Sequence, residues 1–136
     1  GDVESLDGPD SVNAWRDLRE LSSARPLPHL QLWRFSGPAT NAHELVEKMK
    51  EHRLETFVLD WGGALLWALF PASVAATDLH DEAARCRATA WRIASSCEED
   101  NDLAFSPLSP GVARLNAAVK RSFDPLGLFN PGRLYP

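Results

Sequence analysis

Thr56-Phe57-Val58-Leu59-Asp60-Trp61-Gly62-Gly63-Ala64-Leu65-Leu66-Trp67-Ala68-Leu69-Phe70 holds two β-favouring runs, Thr56 to Trp61 and Ala64 to Phe70, separated only by a pair of glycines. Two consecutive residues free to take positive φ are what a two-residue hairpin turn demands, so the runs are expected to pair antiparallel. Pleating then places Phe57, Leu59 and Trp61 on one face, with Val58 and Asp60 on the other.

The flanks extend this hairpin symmetrically. Upstream, Asn41 and Glu44 form a capping-box-like pair, and Ala42, Leu45, Val46 and Met49 make an apolar stripe with Glu44, Glu47, Lys48, Lys50 and Glu51 outside it. The spacing predicts a helix ending near His52, with Glu44 and Lys48 at a favourable i,i+4 separation. Before it, His29 to Ser36 reads as a strand closed by Gly37-Pro38, with Leu30, Leu32 and Arg34 on one face and Gln31, Trp33 and Phe35 on the other. Downstream, Pro71 ends the second hairpin strand, and Thr77 or Asp78 caps a predicted long helix. Its stripe is Leu79, Ala83, Cys86, Ala90, Ile93 and Cys97. Glu98 to Asp102 is an acidic loop, and Leu103 to Leu108 a short edge strand with Pro107.

The order strand, helix, strand, strand, helix, strand predicts an α+β fold, a ferredoxin-like split βαβ antiparallel sheet with helices on one face. An N-terminal and a C-terminal helix are added to it. Residues 1–10 read as a flexible lead-in and residues 11–136 as the domain proper. Asp10 or Ser11 caps the first helix, with Val12, Trp15, Leu18 and Leu21 on one side, and the prolines between Ser22 and Pro28 end it. Ser109-Pro110-Gly111 starts the last, whose buried side is expected to be Val112, Leu115, Val119 and Phe123.

An apolar content of 44% is enough for one buried core, and a net charge of −5 without a basic run argues against a nucleic-acid partner. The apolar run from Ala64 to Ala76 is too short to span a bilayer. On one helix, the eleven residue steps from Cys86 to Cys97 would hold their Cα atoms roughly 16 Å apart, so both read as reduced thiols. His29, His43, His52 and His80 make no ligand pair, which predicts surface or cap positions and no metal.

Arg121-Ser122-Phe123-Asp124-Pro125-Leu126-Gly127-Leu128-Phe129-Asn130-Pro131-Gly132-Arg133 follows the last helix with two Asx-Pro steps and two glycines. Its form, F-D-P-x-G-x-F-N-P-G-R, resembles the ending of FAD-linked oxidases of the vanillyl-alcohol-oxidase type, and within them the glycolate-oxidase-type branch. Ala14-Trp15-Arg16-Asp17-Leu18-Arg19-Glu20-Leu21, Leu32-Trp33-Arg34-Phe35-Ser36 and Asp60-Trp61-Gly62-Gly63-Ala64-Leu65-Leu66-Trp67 agree with it. The resemblance covers nearly the whole chain but only the rear part of the family.

It implies a C-terminal, substrate-side domain without its N-terminal FAD-binding domain, inactive alone. The domain would cover FAD held mainly by the missing domain and help oxidise glycolate to glyoxylate. The implied partners are the FAD-binding domain, a second flavin subunit, an iron-sulfur subunit and a small 2-hydroxy acid. The implied location is the cytoplasm, or the inner-membrane periphery through partner subunits. The metal-binding histidine cluster of some relatives is missing, so no catalytic residue is assigned.

Arg34 is the candidate for holding a substrate carboxylate, since a guanidinium binds one in bidentate fashion; a pairing with Asp60 across the sheet, or simple solvation, is the structural alternative. Trp61 joins it as a substrate-binding residue, and Trp33, Trp61 and Trp67 line a flavin-facing surface or pack a core. Asn130 and Arg133 carry over from the N-P-G-[KR] motif as cofactor-binding residues, against a purely structural role for the tail. Two further functions stay open, a non-catalytic subunit-interaction module and an FAD-linked oxidase of another substrate such as D-lactate.

Overall fold

The computed structural model describes residues 5–20, 22, 28–95 and 104–131. In chain order the elements are α1 (Gly8–Arg19), β1 (Leu30–Ser36), α2 (Ala42–Glu51), β2 (Thr56–Asp60), β3 (Leu65–Pro71), α3 (Ala76–Arg85), β4 (Thr89–Ala94) and α4 (Pro110–Phe123). The four strands form one antiparallel sheet in the order β2-β3-β1-β4, with β1 paired to both β3 and β4. This is the expected α+β, ferredoxin-like split βαβ arrangement.

One sheet face is closed by α2 and α3. Trp33 and Phe35 of β1, Leu66, Ala68 and Phe70 of β3 and Ala90 of β4 meet Leu45, Val46 and Met49 of α2 and Leu79, Ala83 and Cys86 of α3. These positions follow from period-2 alternation on the strands and the apolar stripes on the helices. Each large side chain so buried contributes about 1.5–3 kcal/mol. A polar pin crosses this core: Gln31 Nε2 donates to the carbonyls of Pro71 (3.0 Å) and Val74 (2.8 Å), and its Oε1 accepts from Trp33 Nε1 at 2.9 Å. It ties the start of β1 to the turn after β3.

Several expectations are corrected. The helix predicted to run through Cys97 stops at Arg85. Arg87 takes φ 59°, and the chain re-enters the sheet as β4. Ala90 and Ile93 therefore belong to a strand, and the 3-4 spacing that placed them on a helix was coincidental. Thr89, Trp91 and Ile93 at alternate positions were the contrary signal. Cys97 lies outside the described residues. Of the edge strand expected at Leu103 to Leu108, the described residues 104–108 form a single bridge, Phe105 to Trp91.

The hairpin is antiparallel, but Asp60 pairs with Leu65, leaving Trp61 to Ala64 as a four-residue connection rather than a two-residue turn. Trp61, Gly62 and Gly63 have φ of 51°, 63° and 96°. Asn41 makes no side-chain cap; its Nδ2 donates to the Cys86 carbonyl at 3.0 Å, stitching the start of α2 to the end of α3. The ion pairs on α2 are Lys48–Glu51 and Lys50–Glu47 rather than Glu44–Lys48. α3 starts one residue before Thr77, with Ala75 in the cap position.

The terminal helices also differ. α1 begins at Gly8, inside the stretch read as a lead-in, and Val12 and Trp15 are exposed. α4 buries no residue: Val112, Leu115, Val119 and Phe123 are all exposed. Its apolar stripe is real, but no element among the described residues covers it.

Candidate functional site

The sheet face opposite α2 and α3 carries the candidate site. At one end Leu30, Leu32 and Leu69 pack together with Trp67 and Ala94 over them. At the other end β1 presents Arg34, whose direct cross-strand neighbours are Trp67 on β3 and Trp91 on β4. The guanidinium carbon lies 5.3 Å from the ring centre of Trp91, 5.8 Å from Trp67 and 5.9 Å from Trp61. Each such cation–π contact contributes about 0.5–2 kcal/mol, depending on how dry it is.

Trp61 was expected to share a face with Phe57 and Leu59. It does not, because its left-handed φ of 51° ends the strand's alternation and turns the indole to the face of Arg34. Asp60 fixes that turn, since its Oδ1 accepts from the Trp61 N–H at 2.7 Å. One oxygen of the carboxylate expected as the partner of Arg34 is thus engaged with backbone. Among the described residues Arg34 makes no ion pair and no hydrogen bond; its contacts are the three indoles. A half-buried guanidinium with free N–H donors on an aromatic bed is suited to take a planar anion, a carboxylate above all.

The remaining predicted residues fare differently. Trp33 is fully buried in the core, so of its two readings packing holds. Asn130 is exposed with φ 46°, and no contact joins it to Arg34 or Trp61. Arg133 lies outside the described residues. Trp91 was missed, since it was assigned to the long helix. His80 is buried rather than at the surface, edge-on to Trp33 at 5.1 Å with Nδ1 3.3 Å from Ser106 Oγ. Among the described residues no group of three His, Cys, Asp or Glu is placed to hold a metal.

The tail is organised by Asp124. Its Oδ1 accepts from the Leu128 N–H (2.8 Å), and its Oδ2 from the Phe129 N–H (3.0 Å) and Lys120 Nζ (3.0 Å). The Phe129 N–H and the Lys120 ammonium, followed by the Leu128 N–H, lower its pKa from 3.8 to about 2. Lys120 Nζ also donates to the Phe129 carbonyl at 2.9 Å. The hook so made presents Leu126, Leu128 and Phe129 outward, all exposed. On the helix side of the sheet an open groove of about 570 Å³ runs between α2 and β2, floored by Val46, Phe57 and Leu59. It is separate from the Arg34 cluster.

No family model matches the chain, and no solved structure matches it. Among curated proteins it is similar to "Glycolate oxidase subunit GlcE" of Escherichia coli (strain K12), with 31% identity over 125 residues, 89% of this chain. The chain spans 31% of the length of that relative. This similarity bears out the glycolate-oxidase-type resemblance carried by the tail and the three internal stretches. No helix among the described residues is long and apolar enough to cross a membrane.

Proposed function

We propose that this chain is the substrate-side domain of a glycolate-oxidase-type subunit, in which Arg34 holds the carboxylate of a small 2-hydroxy acid while the acid is oxidised to the 2-oxo acid. The observation that carries the reading is the Arg34 guanidinium, without an ion pair among the described residues and ringed by Trp61, Trp67 and Trp91. Two parallel N–H donors would fix the plane of the carboxylate and so the direction of the carbinol carbon. The exposed edges of Trp61 and Trp91 would displace water from the bound acid and strengthen that charge pairing.

A flavin is the implied cofactor, and the residues present fit part of it. The aromatic ring around Arg34 suits a flat partner, and Asn130 would reach its edge with Arg133. FAD itself would be held mainly by a flavin-binding domain of the full-length subunit. When bound, the flavin supplies the acceptor for the two electrons and the hydrogen. A second flavin subunit and an iron-sulfur subunit would accept the electrons onward. Glycolate is the substrate favoured by the similarity to the E. coli subunit.

The test is steady-state kinetics of the assembled oxidase with Arg34→Ala and Arg34→Lys. A charge-assisted hydrogen-bonded contact contributes about 1.5–3 kcal/mol, so kcat/KM for glycolate should fall about 10- to 150-fold in the alanine variant, with part restored by lysine. Unchanged kcat/KM would remove Arg34 from the site. It would then favour the second reading, a non-catalytic interaction module, which the uncovered apolar stripe of α4 supports.

A further inference from the structure

The two edges of the sheet are treated differently by the chain. Outside β4, the Arg92 N–H donates to the Ala104 carbonyl at 2.7 Å and the Ser106 N–H to the Ala90 carbonyl at 3.0 Å. Phe105 bridges Trp91, and Ile93 is left unpaired as a bulge. These are the devices by which a sheet edge is covered and bent. The other edge, β2, has none of them. Its sequence, Thr56-Phe57-Val58-Leu59-Asp60, contains no proline, glycine, lysine or bulge, and among the described residues it pairs with β3 alone. Phe57 and Leu59 are 39% and 44% exposed beside the open groove. A straight apolar edge strand of this kind is a template for another strand.

We propose that β2 is an interface strand, pairing antiparallel with β2 of a second copy of this chain about a two-fold axis through Val58. The sequence is self-complementary in that register. Phe57 falls opposite Leu59 of the second copy on the helix side, in two equivalent apolar cross-strand pairs. Thr56 falls opposite Asp60, which sets a hydroxyl donor against a carboxylate, and no like charges face each other. The two grooves become continuous, and the apolar floor of Phe57 and Leu59 is covered. The groove rim supports the same occupant. Glu47 and Lys50 stand a turn apart on α2, so a two-fold copy running the other way meets a rim of mixed rather than single charge. The result is an eight-stranded sheet with the Arg34 cluster of each copy left open on the opposite face.

Analytical ultracentrifugation of the 136-residue chain over a dilution series tests this. The expected result is a species of twice the 15.0 kDa chain mass that dissociates on dilution. Leu59→Lys and Phe57→Lys, each checked for unchanged circular dichroism, are expected to give the single-chain mass throughout. Register is read separately by oxidative crosslinking, with the unsubstituted chain as the background for its own cysteines. Val58→Cys should crosslink, because facing Cβ atoms at the axis lie about 4.5–5.5 Å apart. Thr56→Cys should not, since four residues of strand separate the two thiols by about 13 Å. A single-chain mass at every concentration, a dimer that survives Leu59→Lys, or equal crosslinking at Thr56 and Val58 overturns the proposal.

Discussion

Asp124 shows how much one carboxylate can arrange. Two backbone N–H groups and the Lys120 ammonium all point at it, so its ionised form is favoured in the folded tail and its pKa sits at about 2. A carboxylate depressed in this way adds stability that is fully present above its unfolded value and is lost as pH falls through the folded one. The hydrogen-exchange protection of the Leu128 and Phe129 amides should therefore hold at pH 5 and disappear as pH falls from about 3.8 towards about 2. In Asp124→Asn it should be weak at every pH. Protection that persists unchanged below pH 2 would mean the hook does not depend on the charge. The Asp-Pro step marks this turn in the sequence, but spacing alone does not reveal that the aspartate, rather than proline and glycine geometry, holds it. At Arg34 both outcomes were open from the residues alone, a partner in Asp60 or none. The choice turned on the φ of Trp61, since a left-handed residue after the strand draws Asp60 to the backbone.

Among the elements, the hairpin, α2 and β1 were legible because each has an uninterrupted period, and the strands also meet a Gly or Pro stop. β4 was not. Ala83, Cys86, Ala90 and Ile93 satisfy a helical spacing across a boundary with no breaker residue, for Arg87 takes the turn conformation that a glycine would have announced. What forces the chain out of the helix is tertiary: β1 needs a second neighbour, and Ala90 fits against Phe35 there. That junction is tight. A Cβ built on Gly37 would lie 2.8 Å from the Ala88 Cβ and 3.0 Å from its Cα. Gly37→Ala should consequently push apart the end of β1 and the start of β4, costing about 1–3 kcal/mol. Urea denaturation should show a lower midpoint with an unchanged slope. A midpoint equal to that of the parent chain would show that the α3–β4 turn can move aside. Trp91 would be displaced with it, so the same variant links strand placement to the completeness of the ring around Arg34.

At the scale of the molecule, the described residues make a closed core on one side and leave three kinds of uncovered surface among themselves: the indole ring around Arg34, the β2 edge, and the face of α4 with the tail hook. The last is the largest departure from the sequence reading, because amphipathicity reports that a helix will bury a face without saying against what. Leu115 and Phe123 are 63% and 84% exposed, whereas Trp33 is fully buried. Substitution at exposed positions usually shifts stability by no more than about 0.5 kcal/mol, and loss of a core tryptophan costs about 3–5 kcal/mol. Leu115→Asp and Phe123→Asp should then leave the unfolding free energy of this chain almost unchanged, while Trp33→Ala unfolds it or nearly so. If α4 and the tail instead cover a flavin-binding segment in the complete polypeptide, those aspartates should lower the flavin retained on purification of that protein. Comparable destabilisation of the chain itself by Leu115→Asp and Trp33→Ala would place the partner of α4 inside this chain. An unchanged flavin content would place it on another subunit, because a stripe of four apolar residues has no stabilising role while it faces water.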